Sequence, residues 1–178
     1  MSSLNYSICP ISTEIPSLNK KKIEKYFDSF NEFNKYKIDD KLFTIFQLNV
    51  RGINNTHKFD RIKLLLNNLN FKCDMLVLGE TKLKTRFPSN LYHINGYDKY
   101  NCCRDSKNSG GGLLVYVKKG IIIKGVTKDS NTHEKIKIIA CINGIEFKVI
   151  CYYRQPTPNS LAPFMSDVEN ELADGNSN

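Results

Sequence analysis

Two short apolar runs each end on a polar side chain: FTIFQLN at 43–49 and DMLVLGE at 74–80. Both are rich in β-branched, aromatic and aliphatic residues and too short for a typical helix, so both predict strands. Between them Phe59, Ile62, Leu65, Leu66 and Leu69 fall along one helical face behind a Thr56 cap, which predicts an amphipathic helix over 57–70. A strand–helix–strand unit is parallel and right-handed, so both runs end at the same edge of one sheet. Neighbouring strands lie about 5 Å apart. Asn49 and Glu80, the last residues of the two runs, are then expected to converge on one point. The second run shows no polar alternation before Glu80, the pattern of a strand buried on both faces.

Past Pro88 the periodicity becomes that of a β-meander. The stretch 92–103 holds strand and turn pieces; Gly110, Gly111 and Gly112 precede the strand LLVYVKK; Lys119 and Gly120 turn into IIIKGV. KIKIIACI and IEFKVICYY flank Asn143 and Gly144, the composition of a two-residue type I′ hairpin. On the second of these strands Ile145, Phe147, Val149, Cys151 and Tyr153 share one face. Pro156 and Pro158 end the sheet, and Ser160 caps a helix over 160–173 whose inner side carries Leu161, Phe164, Val168 and Leu172. At the other end, 1–16 is rich in Ser, Pro and Thr and is expected to be disordered. A helix over 17–36, capped by Ser17, places Ile23, Phe27, Phe30 and Phe33 at helical spacing. The resulting division is a leader or linker at 1–40, one domain at 41–174 and a tail at 175–178.

Charge sharpens this division. The chain of 178 residues has 26 Lys and Arg against 18 acids, a net charge of +8. Positions 41–159 hold 20 of the basic and 8 of the acidic residues, so the excess sits on the domain body and favours a polyanionic partner such as DNA or RNA, with a merely basic surface in a Lys/Asn-rich proteome as the alternative. Six cysteines lack the CxxC spacing of a zinc site; Cys73, Cys141 and Cys151 lie in or beside apolar runs as small buried hydrophobes, and the adjacent Cys102 and Cys103 are ill placed for an ordinary disulfide. No signal-peptide pattern opens the chain and no stretch approaches about 20 apolar residues. A reduced, intracellular protein of nucleus or cytoplasm, neither secreted nor in a membrane, is expected.

A carboxylate at the end of a buried strand is costly unless paired. Glu80 suits magnesium, which takes one or two protein carboxylates and keeps waters and phosphate oxygens; a salt bridge or helix cap is the structural alternative. Asn49 can ligate the same ion weakly or donate to a phosphate oxygen. Tyr153, at the end of a core-facing row, offers a phenol to a phosphate oxygen as charge builds. Arg154 beside it suits a backbone phosphate, as does Arg51, and the run of Lys82, Lys84 and Arg86 after Glu80 either steers nucleic acid toward the site or is a solvated loop. The three glycines do not form a phosphate loop, because they precede a strand and lack a following Gly-Lys-Ser/Thr; they allow a tight turn into a central strand. His57, His93 and His133 show no metal spacing and are expected at the surface.

Four segments in order, LNVRGI at 48–53, DMLVLGETKL at 74–83, GGGLLVYVKKG at 110–120 and CYYRQPTPNS at 151–160, resemble the endonuclease/exonuclease/phosphatase superfamily. They are most similar to the apurinic-endonuclease-like nuclease of non-LTR retrotransposons, over about 42–173. The resemblance implies an α/β fold, a four-layer αββα sandwich, here C-terminally truncated. It implies Mg²⁺-dependent phosphodiester hydrolysis, DNA nicking above all, with Glu80 and Asn49 at the metal and Asn49, Glu80 and Tyr153 as the catalytic set. The Gln155 in Arg-Gln-Pro departs from the family's Arg-Pro-Pro. Its later Asp-x-Asn and Ser-Asp-His motifs, which orient and activate water, do not follow position 173. The chain is thus expected to be the first half of such a domain and inactive alone. The alternatives are a non-catalytic nucleic-acid-binding remnant of a retroelement, or another phosphodiesterase branch of the superfamily.

Overall fold

The computed structural model describes residues 7–11, 42–53, 56–84, 89–103, 110–131, 133–154 and 160–175, with isolated positions 32, 35 and 38. Positions 32 and 35 are helical; the rest of the expected helix at 17–36, and the Pro156 and Pro158 breaks, lie outside the described residues.

Among the described residues eight strands form two sheets. In the first, β1 (Ser7–Ile11), β2 (Phe43–Asn49), β3 (Met75–Gly79), β5 (Leu113–Lys118) and β4 (Tyr97–Cys102) stand in the order β1-β2-β3-β5-β4. The second runs β6 (Ile122–Asp129), β7 (Glu134–Ile142), β8 (Ile145–Tyr153). Helix α1 (Thr56–Asn67) joins β2 to β3, a single 3₁₀ turn at Ser89–Tyr92 precedes β4, and α2 (Leu161–Gly175) follows β8. The β2–β3 pair is parallel, as its crossover helix requires; every other pairing is antiparallel.

Alternation in the central strands divides the core. Phe46, Leu48, Leu76, Leu78, Leu114 and Tyr116 face α1, whose Phe59 and Ile62 are buried against them. Met75, Val77, Leu113, Val115 and Val117 face the second sheet and meet Ile136, Ile138, Ala140, Val149 and Cys151. Both faces of β3 and β5 are covered, which is why these strands read as unbroken apolar runs. Helix α2 lies on the outer face of the second sheet, held to Lys135, Lys137 and Tyr152 of that face. The layers are helix, sheet, sheet, helix. The β7–β8 hairpin turns through Asn143 and Gly144, with φ of 51° and 80°, as a type I′ turn requires.

Three expectations need correction. Residues 7–11 are not disordered: they pair antiparallel with β2 and remove its open edge. His133 is not a surface residue; it is buried, with its Nε2 on Asp167 Oδ2 at 2.9 Å. The inner side of α2 is not its leucine row, since Leu161 is 51% and Leu172 66% exposed. The helix docks instead through Phe164, edge-on to the rings of His133 and Tyr152, and through Asp167 and Glu171. Lysines on the outward row of β7 gave these two acids partners, so polar rather than aliphatic pairing chose the buried face. Among the cysteines, Cys73, Cys102 and Cys151 are buried and Cys141 and Cys103 half-buried, all as free thiols. No described helix is long and apolar enough to cross a membrane.

Candidate active site at the paired ends of β2 and β3

The parallel register sets Asn49 opposite Gly79. Glu80 therefore leaves β3 one residue beyond the level of Asn49, and Asn49 Nδ2 donates to Glu80 Oε1 at 2.9 Å. Its Oδ1 accepts from the Arg51 N–H at 3.1 Å. Both heteroatoms of the amide are engaged, so Asn49 braces the carboxylate while the second Nδ2 hydrogen stays available for a further acceptor. Asn49 is exposed and Glu80 half-buried, which leaves the carboxylate open to solvent and to ligand.

The backbone around this pair is unusual. Arg51, Glu80 and Lys82 have φ of 46°, 55° and 55°, in the left-handed region that non-glycine residues rarely adopt. The ladders that hold it continue past the ends of the strands. Val50 donates to Gly79 O, Gly52 to Glu80 O and Ile53 to Thr81 O on one side; Thr81 donates to Gly112 O and Lys82 to Gly111 O on the other. The 80–82 turn is thus sewn between the loops that follow β2 and precede β5.

The glycines before β5 serve as clearance. Gly111 and Gly112 have φ of 81° and 93°. A Cβ on Gly112 would meet Thr81 Oγ1 at 2.5 Å, and one on Gly111 would collide with Glu134 Oε1 and reach Tyr153 Cε1 at 3.1 Å. Only a bare backbone lets the two sheets close here. Tyr153 is thereby placed against Gly111, whose carbonyl is bonded to Lys82, two residues beyond Glu80.

The basic residues divide. Arg51, Lys82 and Lys84 are exposed, and the Lys82 stem lies along Gly52. Arg154 Nη1 donates to Ser160 Oγ at 3.0 Å, which ties the end of β8 to the start of α2. Sequence reasoning missed Glu134. It is fully buried, on the same face of β7 as Ile136, Ile138 and Ala140. An acid in phase with a core-facing row was the available signal. Among the described residues no group of three or more His, Cys, Asp or Glu side chains is suited to hold a metal ion. The available donors are hard oxygens around a single accessible carboxylate. Oxygen donors of this kind suit a hard cation that keeps most of its waters, as magnesium does.

No protein-family model and no curated protein matches the chain. Among solved structures it is similar to TDP2 from C. elegans, with a TM-score of 0.51 and 16% identity over 75% of this chain and 44% of that one. Selenomethionine-labelled TDP2 from Caenorhabditis elegans gives a TM-score of 0.51 and 16% identity over 75% and 43%. At this identity the likeness establishes the fold alone, a four-layer sandwich with two sheets between helices. The chain spans less than half the length of these structures.

Proposed function

We propose that this chain carries the cation- and phosphate-holding part of a site for phosphodiester hydrolysis, and that its substrate is DNA, nicked as by the retrotransposon-type nucleases its motifs resemble. One observation carries the reading: Asn49 Nδ2 and Glu80 Oε1 lie 2.9 Å apart at the paired ends of two parallel strands, on a backbone held out of its relaxed conformations. Strained backbone persists where the surrounding structure over-determines it, and such places cluster at functional sites.

Glu80 would hold Mg²⁺, and Asn49, bonded to one of its oxygens, would fix the carboxylate rotamer. The second Asn49 hydrogen is aimed at a nonbridging phosphate oxygen. Tyr153 donates its phenol to the same phosphate, and Arg51, Lys82 and Lys84 hold the neighbouring backbone. Bound Mg²⁺ supplies charge neutralisation at the phosphate and leaving oxygen. Orientation of the attacking water belongs, in the resembling family, to motifs that this sequence does not contain.

Titration calorimetry with Mg²⁺ on the wild-type chain and on Glu80→Gln tests the site directly, and a plasmid-nicking assay with Mg²⁺ tests the chemistry. Saturable, Glu80-dependent binding supports the reading. Equal binding by wild type and Glu80→Gln removes it. Salt-sensitive DNA binding without any Mg²⁺ site would favour the non-catalytic remnant.

A further inference from the structure

Glu134 opens β7 directly opposite Tyr153 of β8, so the two side chains lie together on the face turned toward the first sheet. The carboxylate has no solvent exposure. It fills the niche left by the missing Gly111 side chain: a Cβ there would lie 3.0 Å from Glu134 Cδ and 3.1 Å from Tyr153 Cε1. The Gly111 carbonyl is bonded at 2.8 Å to Lys82 N–H, in the turn that Glu80 begins. Glu134 thus stands one strand away from the Glu80 turn, beneath the tyrosine ring, inside the cleft between the sheets.

We propose that Glu134 is a positioning residue of the Asn49–Glu80 site: its buried charge strengthens the hold on a divalent cation at Glu80, and its bulk fixes the Tyr153 ring against Gly111. This rests on the cation reading given under Proposed function. A divalent cation and a unit negative charge roughly 10 Å apart, at an effective dielectric of about 40, between the protein surface and water, interact strongly enough to change an affinity about tenfold.

The experiment is Mg²⁺ titration calorimetry on the full chain, with metal-free thermal unfolding of each protein measured in parallel. Glu134→Gln keeps shape and removes charge; Glu134→Asp keeps charge and shortens the side chain. Glu134→Gln is expected to weaken Mg²⁺ binding about tenfold, with a metal-free unfolding temperature equal to or above that of wild type. Glu134→Asp is expected to bind within about threefold of wild type. Packing without electrostatics would reverse this order, with Glu134→Asp weakened and Glu134→Gln unchanged, and would overturn the inference. So would equal loss in both. Should Glu134→Gln not fold, Glu134→Asp alone decides by the same threshold. Wild-type binding that Glu80→Gln abolishes and Glu134→Gln leaves intact refutes the role of Glu134 while the site stands. Absence of wild-type binding refutes the site itself.

Discussion

Asp167 offers the most direct check on how α2 is held. Its carboxylate accepts from His133 Nε2, from Lys135 Nζ at both oxygens and from Tyr152 OH, every contact at 2.9 Å. The helix leaves Leu161, Met165 and Leu172 exposed, so few apolar contacts can substitute for these bonds. Burial alone would raise the carboxyl pKa. The bonds from Lys135, His133 and Tyr152 outweigh it and hold the group at about 2, against an ordinary 3.8. A depression of that size corresponds to roughly 2 kcal/mol, after a discount for its partial exposure. A single charge-assisted hydrogen bond is worth about 1.5–3 kcal/mol net, so this figure corresponds to the loss of one such bond.

Asp167→Asn is therefore expected to lose about 2 kcal/mol at neutral pH, a fall in Tm of roughly 4–8 °C for a chain of this size. The sign of the pH dependence follows from the depressed folded-state pKa. The contribution is complete above the unfolded carboxyl value near 4 and is lost as pH falls through about 2. Urea unfolding followed by circular dichroism, at several pH values from 7 down to 2, should show the gap between wild type and Asp167→Asn closing below about pH 4. A gap under about 0.5 kcal/mol at neutral pH, or one of the same size at the acid end, refutes the assignment of this network as the helix's anchor.

Gly111→Ala should cost at least about 2 kcal/mol, combining φ strain with collision against Glu134, whereas Gly96→Ala, at φ 81° in open space, should cost only about 1 kcal/mol; equal losses in urea melts would show that the close approach is unimportant. Glu80→Gly should be more stable than Glu80→Ala by about 1 kcal/mol, because only glycine relaxes at φ 55°, and neither should bind Mg²⁺; an alanine variant as stable as the glycine one would dismiss the backbone strain. Burial, with the Asp74 charge adding to it at Cys73, pushes the thiols of Cys73 and Cys151 up to about 12. Iodoacetamide at pH 8 followed by peptide mass mapping should mark Cys103 and Cys141 well before either; similar rates would contradict the burial.

The core strands and the Asn49–Glu80 meeting point were legible because one physical rule governs each. Apolar runs bounded by polar residues must be buried, and a helix between two strands forces them parallel, so the common edge followed without any contact information. The Asn143 and Gly144 hairpin was equally local, since its turn type depends on two residues. Residues 7–11 escaped because a short Ser/Pro/Cys stretch has no strand signature of its own and is ordered by the β2 edge it covers. The face of α2 escaped for a different reason. Its leucine row suggests burial by hydrophobicity, yet which side docks was decided by Lys135, Lys137 and Lys148, which lie more than twenty residues away in sequence and come together only once β7 and β8 pair. Glu134 likewise becomes part of a site only when the second sheet closes on Gly111.

The left-handed residues at the cleft connect these two kinds of information. Arg51, Glu80 and Lys82 each contradict local backbone preference, at about 1–3 kcal/mol apiece, and nothing in their own neighbourhoods of sequence announces it. What holds them is the pair of ladders that extend from β2 and β5 across the 80–82 turn, and those ladders exist only because Gly52, Gly111 and Gly112 let the backbones approach. A relaxed extended chain would carry Glu80 onward along β3, with its side chain alternating about the sheet plane. The left-handed bend turns it instead toward Asn49 on the neighbouring strand. Stability is therefore spent on aiming one carboxylate, and the glycines that permit the bend are as much a part of the site as the residues that face the cleft.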